Sequence, residues 1–551
     1  MRKSPRPDCA ADSNRAGSAL LSVLVIVVML SLAAYTYSGL MQAEYDAAIR
    51  ASRMIEARQL SDSGADWVAA LIALRGTDSE QNLFHNPEMF QRILVSPESD
   101  ERPAGYFSVV APLGSGQGSK PRFGLRNESA KINLNTLAES SLSEEEANFF
   151  LLAIPGMTEE IADCILDWID SDSDTRLYGA ESDYYSSFSG FSTADGPLRS
   201  LDELLKVEGV TPELLYGEDY NRNGILDSNE NDGSRSAPYD NEDDVLDRGW
   251  SEYLTVTASE SNLRIDGSEK IPLNSNTLTD VYDRIAEEFD ESVATFVVAY
   301  RIFGPAEAPL YETPGGLADN GNANDLTPDE EEIIGEIANG IANAISGGDG
   351  SVTRGGMDLK DGGEFPINSL FDLIDAEVDA MIDGAPQKLI SPWSSNDVLS
   401  YFAELDEALG VKTDTVIEGR IDVNQARYEV LLGVLDSQAL PLEIADAIIS
   451  ATGIDSDDVP DFDPATRATN AWLLAEGIVD LETIRLLDPF VTTKGDIFQA
   501  QIIGFFGTSG ISARINVWID GSQSPPKITQ ISDYTELGPG YRLIELQEEA
   551  N

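Results

Sequence analysis

The chain has 551 residues with 97 acidic and 36 basic side chains, which gives a formal net charge of −61 at pH 7. So negative a surface repels nucleic acid and anionic lipid head groups, and nucleic acid is therefore excluded as a predicted partner. The length is sufficient for two or three domains with ordinary apolar cores.

The N-terminal region combines a short basic leader with a long apolar stretch. Residues 16–43 carry no charge, and about 20 apolar residues suffice to cross the hydrocarbon core of a bilayer as a helix. The basic residues before this stretch are Arg2, Lys3, Arg6 and Arg15. By the positive-inside rule, the N-terminus stays cytoplasmic and the rest of the chain is exported.

A cleaved signal peptide is the alternative interpretation of this region. Its apolar part usually spans about 7–15 residues, followed by a small-residue cleavage site. Here the apolar run is longer, and helix-compatible residues continue without proline to Arg75. We therefore predict one uncleaved membrane helix over residues 18–75.

A glycine directly before such a helix resembles the start of type IV pilins and pseudopilins. This resemblance implies that a prepilin peptidase removes residues 1–17 by cutting after Gly17, and that Ser18 is then methylated. Most members have glutamate at the fifth mature position, where this chain has Ser22. That glutamate neutralises the terminal amine of a neighbouring subunit. In lacking this glutamate the chain resembles the K-type minor pseudopilin, which lies at the tip of the fibre.

Strand signals cluster near the two ends of the exported part. Alternating apolar and polar residues predict strands in two groups: 106–111, 122–125 and 131–135, then 497–503, 513–519 and 527–531. We predict an α+β fold in which one antiparallel sheet, built from residues 76–136 and 495–551, packs on the long helix. A large, mainly helical insertion over residues 137–494 separates the two halves of this sheet.

The insertion shows internal repeats. The motif Ile132-Asn-Leu-Asn-Thr136 recurs loosely at residues 271–277 and 421–425, each time before a predicted helix. Residues 303–365 are rich in Gly, Asn, Asp and Pro, and this composition is typical of a flexible linker.

One turn of the insertion resembles a helix-hairpin-helix unit, which in other proteins contacts a DNA phosphate. It comprises Ile154-Pro-Gly-Met-Thr158, and the acidic Glu159, Glu160 and Asp163 follow it with no basic residue nearby. Because a phosphate would be repelled there, the sequence favours a simple packing turn between helices.

The strongest site prediction is a calcium loop of twelve residues. Carboxylate, amide and main-chain oxygens recur at the spacing of an EF-hand loop, with Gly224 at the position of the sharp turn. The predicted ligands are Asp219, Asn221, Asn223, Ile225 through its carbonyl, Asp227 and Glu230. A metal-free Asx-Gly turn is the alternative. Three carboxylates suit a structural calcium ion in an exported protein.

A second, weaker calcium site is predicted upstream of this loop. Its candidate ligands are Asp170, Asp172, Asp174, Glu181 and Asp183. Thr175 occupies the position where an EF-hand requires glycine, so a standard loop is not expected. Carboxylates this dense either point apart into solvent or gather around a cation, and the spacing leaves both alternatives open.

Three segments carry a closer family resemblance. Residues 126–136, 154–185 and 200–205 are similar to general secretion pathway protein K, a minor pseudopilin of type II secretion. The resemblance implies a pseudopilin domain with a helical insertion that holds calcium sites. It also implies a tip complex with the I-type and J-type minor pseudopilins, on a fibre of the major pseudopilin.

The predicted function is therefore a minor pseudopilin that caps the pseudopilus tip and supports protein export across the outer membrane. The alternatives are a minor pilin of a type IV pilus or DNA-uptake system, and a membrane-anchored extracytoplasmic binding protein. No enzyme activity is predicted, because His85 is the only histidine and no nucleophile–base pattern stands out. The predicted location is the bacterial inner membrane, with one membrane span and most of the chain in the periplasm.

Overall fold

The computed structural model describes residues 13–74, 83–99, 102–111, 121–139, 144–188, 192–306, 352–454, 466–507 and 509–547. The helices are α1 (Ser13–Leu74), α2 (Pro87–Phe90), α3 (Leu134–Glu139), α4 (Glu144–Leu152), α5 (Glu159–Ile169), α6 (Ser182–Phe188), α7 (Pro212–Tyr216), α8 (Leu278–Glu288), α9 (Glu291–Phe303), α10 (Val398–Ala408), α11 (Tyr428–Ser437), α12 (Glu443–Thr452), α13 (Ala471–Ala475), α14 (Leu481–Leu487) and α15 (Leu543–Gln547).

The strands are mostly short. They are β1 (Ile93–Ser96), β2 (Gly105–Val110), β3 (Arg126–Asn127), β4 (Ile132–Asn133), β5 (Leu254–Thr255), β6 (Ser259–Ser261), β7 (Ile271–Pro272), β8 (Thr353–Arg354), β9 (Met357–Asp358), β10 (Glu377–Ile382), β11 (Ala385–Ile390), β12 (Leu409–Gly410), β13 (Val416–Glu418), β14 (Ile421–Asp422), β15 (Val491–Thr492), β16 (Ile497–Phe506), β17 (Ser509–Asp520) and β18 (Lys527–Asp533).

Helix α1 is one uninterrupted helix of 62 residues, which corresponds to roughly 93 Å at 1.5 Å per residue. Within the described chain, its Leu20–Leu74 part is the one helix long and apolar enough to cross a membrane. All residues from 20 to 52 are exposed, whereas burial begins at Ala57 and continues through Val68 to Ile72. The N-terminal half is thus uncovered by this chain, and the C-terminal half is part of its core.

A six-stranded sheet covers the C-terminal half of α1. Its strand order is β1-β2-β16-β17-β18, and β3 pairs with β16; every pairing is antiparallel. Alternate residues of the central strands, such as Ile502, Ile515 and Val517, share a core with Ala65 and Val68 of the helix. The predicted α+β fold is confirmed, with one sheet built from both ends of the chain.

The helix α1 approaches the sheet closely at Gly504. Its N–H donates to Ser61 Oγ (2.9 Å), and that hydroxyl donates to the carbonyl oxygen of Ala513 (2.9 Å). A Cβ at Gly504 would lie 2.2 Å from the carbonyl oxygen of Ala57. The helix backbone therefore lies directly on β16, and only a residue without a side chain fits there.

Two strand predictions differ from the structure. Of residues 122–125, only Arg122 makes a bridge, to Ala111. Its buried guanidinium bonds the carbonyl oxygen of Leu125 (2.8 Å) and lies over the Phe84 ring. Residues 131–135 contribute only β4, which pairs with β5 of the insertion instead of the main sheet. Strand β1 has no alternating pattern and was not predicted.

The three repeat motifs open three similarly built units. Each begins with a two-residue strand in a parallel pair: β4 with β5, β7 with β12, and β14 with β15. Asn135, three residues after the start of β4, donates to the carbonyl oxygens of Leu198 and Val256. Asn274, three residues after the start of β7, donates in the same way to those of Ile367 and Val411. Each asparagine therefore joins the start of its unit to segments far away in sequence.

The insertion has a core of its own. One cluster of buried apolar residues extends from Ile132 to Val491 and is distinct from the core between α1 and the sheet. Between α4 and α5, the hairpin-like turn has Gly156 at a φ of 75° and ends in Thr158, which caps α5 through Ile161 N–H. Residues 307–351, most of the predicted linker, lie outside the described residues, and its bounds stay a prediction.

We expect Gly504→Ala to destabilise the protein by about 1–3 kcal/mol, the usual range for overpacking a core. The added methyl group would separate α1 from β16 and weaken the bond to Ser61. Thermal unfolding of the detergent-solubilised chain measures the change. Gly510→Ala in β17 is the matched control, because nothing lies within 4 Å of its Cβ position. Equal melting of both variants would contradict the close contact.

Candidate metal centres

Residues 219–230 form a tight loop after α7. Asp219 accepts hydrogen bonds from the N–H groups of Asn223 (3.0 Å) and Gly224 (2.8 Å). At the other end, Glu230 accepts from the N–H groups of Tyr220 and Asp227, both at 3.0 Å. The two end carboxylates therefore both bond into the same stretch of backbone.

The remaining polar side chains of the loop contact one another. The side-chain amides of Asn221 and Asn223 both donate to Asp227 Oδ2, at 2.7 and 3.0 Å. Gly224 has a φ of 68°, a conformation that glycine adopts without strain. The structure thus brings the side chains at positions 1, 3, 5, 9 and 12 of the predicted loop together.

The electrostatics of this loop fit a cation. Burial raises the pKa of Asp219, and burial with the neighbouring carboxylates of Asp219 and Asp227 raises the pKa of Glu230 to about 7. Charged carboxylates held this close are unfavourable unless a positive ion lies between them. The donors are all oxygen atoms, which Ca²⁺ prefers. We therefore keep calcium as the proposed ion for this loop.

The loop is fixed to the sheet as well as to itself. Arg514 of β17 donates to the carbonyl oxygen of Asn221, and Gln501 of β16 donates to that of Arg222. Tyr541, near the C-terminus, donates to the carbonyl oxygen of Asn223 (2.8 Å). The Ile225 side chain packs against the core of the sheet. The candidate calcium loop is thus a joint between the insertion and the sheet.

A buried ionic group lies beside this joint. Glu252 pairs with three arginines: Arg126 of β3, Arg248, and Arg427 before α11. Burial alone would raise the pKa of Glu252, but the three arginines hold it well below its ordinary value. Arg248 also donates to the carbonyl oxygen of Gly224 in the loop (2.9 Å). The group therefore connects the sheet, the calcium loop and the third repeat unit.

A second acidic group lies at the end of α5. Carboxylate oxygens of Asp167, Asp170 and Glu181 lie within 4.8 Å of one another. Arg176 donates to Asp167 (2.8 Å) and to Asp170 (2.5 Å). Asp170 Oδ1 and Glu181 Oε1 are buried, and neither has a hydrogen-bond partner among the described residues. Two unpartnered buried oxygens on adjacent carboxylates fit the ligand shell of a cation.

This group differs in membership from the predicted second site. Asp170 and Glu181 belong to it, whereas Asp172, Asp174 and Asp183 are exposed and lie outside it. Asp172 instead accepts from Asp174 N–H in a local turn (2.8 Å). Asp167, which lies three residues before Asp170, was not among the predicted ligands. Residues three apart share a helix face, and that spacing was the available signal.

The processing residues lie in the backbone of α1. Helix α1 begins at Ser13, so Gly17 and Ser18 are both helical in this chain.

One segment of the chain matches a known protein family. Residues 130–216 match the model described as type II secretion system (T2SS), protein K, and this match confirms the resemblance predicted from the sequence. The matched residues include the second acidic group and end just before the calcium loop. No curated protein matches the chain.

Among solved structures, the chain is similar to the crystal structure of the GspK-GspI-GspJ complex from the type 2 secretion system of enterotoxigenic Escherichia coli. The identity is 10%, and the match covers 88% of this chain and 99% of that chain with a TM-score of 0.34. The likeness to protein K therefore rests on residues 130–216.

We expect calcium to raise the melting temperature of the wild-type chain and to leave the double variant Asp219→Ala/Glu230→Ala unchanged. An ion that binds only the folded state adds about 2.7 kcal/mol when its concentration is about 100 times the Kd. Thermal unfolding with and without a calcium chelator measures this. Glu287→Gln, an exposed acid of α8, is the control and should behave as wild type. Identical melting of the wild type in both buffers would refute the metal site.

In metal-free buffer, we expect stability to fall as the pH rises from about 4.5 to about 7. The folded-state pKa of Glu230 and that of Glu181 are both raised to about 7, with burial as the main cause. The folded chain therefore keeps protons that the unfolded chain releases, so this stability is present at low pH and lost above it. Melting curves across this pH range test it. Glu230→Gln should have a smaller pH dependence than wild type, and an unchanged slope would contradict the assignment.

Proposed function

We propose that this chain, whose residues 130–216 match the model of type II secretion system protein K, is a minor pseudopilin at the tip of a pseudopilus. The observation that carries the proposal is the division of α1 into two halves. Its N-terminal half is exposed and apolar, and its C-terminal half is buried under the sheet of the same chain. Residues 130–216, which match the protein K model, begin just after β3 of that sheet.

The exposed half of α1 supports anchoring and assembly. Large apolar side chains, including Leu24, Leu30 and Leu40, are more than half exposed all along this part. Such a surface requires a lipid or helix partner, because water hydrates it poorly. We propose that it spans the inner membrane and then packs among the helices of other pseudopilins as the fibre grows.

The tip position is supported by Ser22. The glutamate that most pilin-like proteins carry at this point neutralises the terminal amine of a neighbouring subunit. A subunit without this glutamate cannot neutralise the terminal amine of a neighbour above it, and an unpaired charge in the hydrocarbon is costly. Such a subunit therefore needs no neighbour above it. The bulky insertion would then cap the fibre.

The orientation and processing follow from the leader. Four basic residues precede the apolar stretch, so we propose that the N-terminus faces the cytoplasm and the sheet and insertion lie in the periplasm. The proposed prepilin peptidase cut lies between Gly17 and Ser18. The role is structural, with calcium holding the insertion in place, and it requires no catalytic chemistry.

The proposed partners are the I-type and J-type minor pseudopilins and the major pseudopilin. The match of residues 130–216 to protein K of the type II secretion system supports them. Contact through α1 leaves the acidic insertion outside the fibre.

We expect a photo-crosslinking residue at Leu40 to couple this chain to other pseudopilins in whole cells. Leu40 is 66% exposed on α1, whereas Ile265, the matched control, is 70% exposed on the insertion. Crosslinks at Leu40 and none to the fibre at Ile265 would fit packing through the helix. Mass spectrometry identifies the partner.

Coupling at Leu40 to subunits of a type IV pilus would favour the minor-pilin alternative. Complete lack of coupling to pilin-like proteins would favour an anchored binding protein that never polymerises. As an internal check, the isolated protein should begin at N-methylated Ser18, because both fibre assignments require the processed form.

A further inference from the structure

A small polar cavity of about 100 Å³ lies between the second and third repeat units, away from both acidic groups. Its lining includes four cationic side chains: Lys270, Lys412, Lys494 and Arg420. In a chain with 97 acidic and 36 basic residues, such a concentration of positive charge is exceptional. None of these four residues has a part in the proposed anchoring or calcium sites.

The three carboxylates of the cavity already have partners. Glu260 accepts from Arg420 (2.6 Å), and it also accepts from the Thr492 hydroxyl. Asp488 accepts from the Ser369 hydroxyl (2.7 Å) and from the side-chain amide of Asn470 (2.8 Å).

The third carboxylate, Asp406, serves two lysines. It pairs closely with Lys494, while Lys270 lies further away, at 3.6 Å. The cavity thus contains four cations and three anions. Around its rim, Glu407 accepts from Ile265 N–H (2.6 Å), and Asp414 belongs to the loop that carries Lys412.

Lys412 is the cation left over. Within the described part of the chain it forms no ion pair, and its backbone is fixed because the buried Asn262 donates to the carbonyl oxygens of Lys412 (3.0 Å) and Asp414 (2.8 Å). Although the Lys412 side chain is exposed, its partial desolvation in the cavity lowers its pKa, and Arg420 lowers it further, while nearby carboxylates act in the opposite direction. At Gly410, a Cβ would lie 3.3 Å from both Lys270 Cβ and the Lys412 carbonyl oxygen, so the two lysine segments approach closely there.

We propose that this cavity binds a single carboxylate, which accepts hydrogen bonds from the ammonium groups of Lys412 and Lys270. The excess charge of one favours a monoanion over a dianion such as sulfate, because one carboxylate makes the cavity neutral. The hydroxyl groups of Ser261 and Thr493 also line the cavity. The carboxylate belongs either to a small molecule or to an acidic side chain of a partner, and the recognition chemistry is the same.

The test uses the full chain in detergent, with its lysines ¹³C-methylated so that each charge is retained, and acetate as the probe. We expect saturable shifts of the Lys412 and Lys270 signals and none at Lys388, which is exposed on the β10–β11 hairpin. Acetamide, the neutral analogue of acetate, should shift neither. Sulfate should bind more weakly than acetate.

Lys412→Gln should weaken acetate binding about tenfold or more, the loss expected for one charge-assisted hydrogen bond. Lys412→Arg should retain binding, and Lys388→Gln is the matched control that should leave it unchanged. Because Lys412 is exposed, its replacement should not unfold the chain, and melting curves check this. Absence of saturable acetate binding, or equal affinity in Lys412→Gln, would overturn the proposal.

A carbodiimide arm distinguishes the two sources of the carboxylate. In membranes containing the assembled fibre, coupling of Lys412 to an Asp or Glu of another protein would identify a protein side chain as the occupant. Acetate binding without such coupling would identify a small carboxylate. This arm is independent of the proposed tip position, since the acetate titration needs only the isolated chain.

Discussion

The architecture depends on one contact, the direct packing of the α1 backbone on β16. It is possible because Gly504 has no side chain and Ser61 bonds across the interface. Strands β2 and β16 come from opposite ends of the sequence, yet they pair over the same face of the helix. The insertion between β3 and β16 therefore leaves the sheet and returns to it, and it has a core of its own.

The connection between these two cores is mainly polar. Glu252 with its three arginines, the bond from Asn127 to Asp422 (2.9 Å) and the candidate calcium loop all lie at this boundary. Polar contacts of this kind give orientation more than bulk stability, since buried ion pairs gain little over apolar packing. The insertion is thus held in a defined direction relative to the helix that anchors the chain.

The sequence predicted what local pattern determines. The length of α1, the long strands at the C-terminus, the repeat motifs and the ligand spacing of residues 219–230 are all visible in periodicity or spacing. It could not predict contacts that arise only on folding. Asp167 joins Asp170 and Glu181 across a loop, β4 pairs with a strand about 120 residues away, and the guanidinium of Arg122 is buried against the backbone of Leu125. The Lys412 cavity likewise combines residues from several distant segments.

The order of strands has a consequence for biosynthesis. Because β16 and β17 are the last long strands of the chain, the buried face of α1 has no cover until the ribosome has made nearly all of the polypeptide. During that interval the insertion, whose core is separate from that of the sheet, can fold first. The growing protein thus passes through a stage with a folded insertion and a helix face that still lacks its central strands.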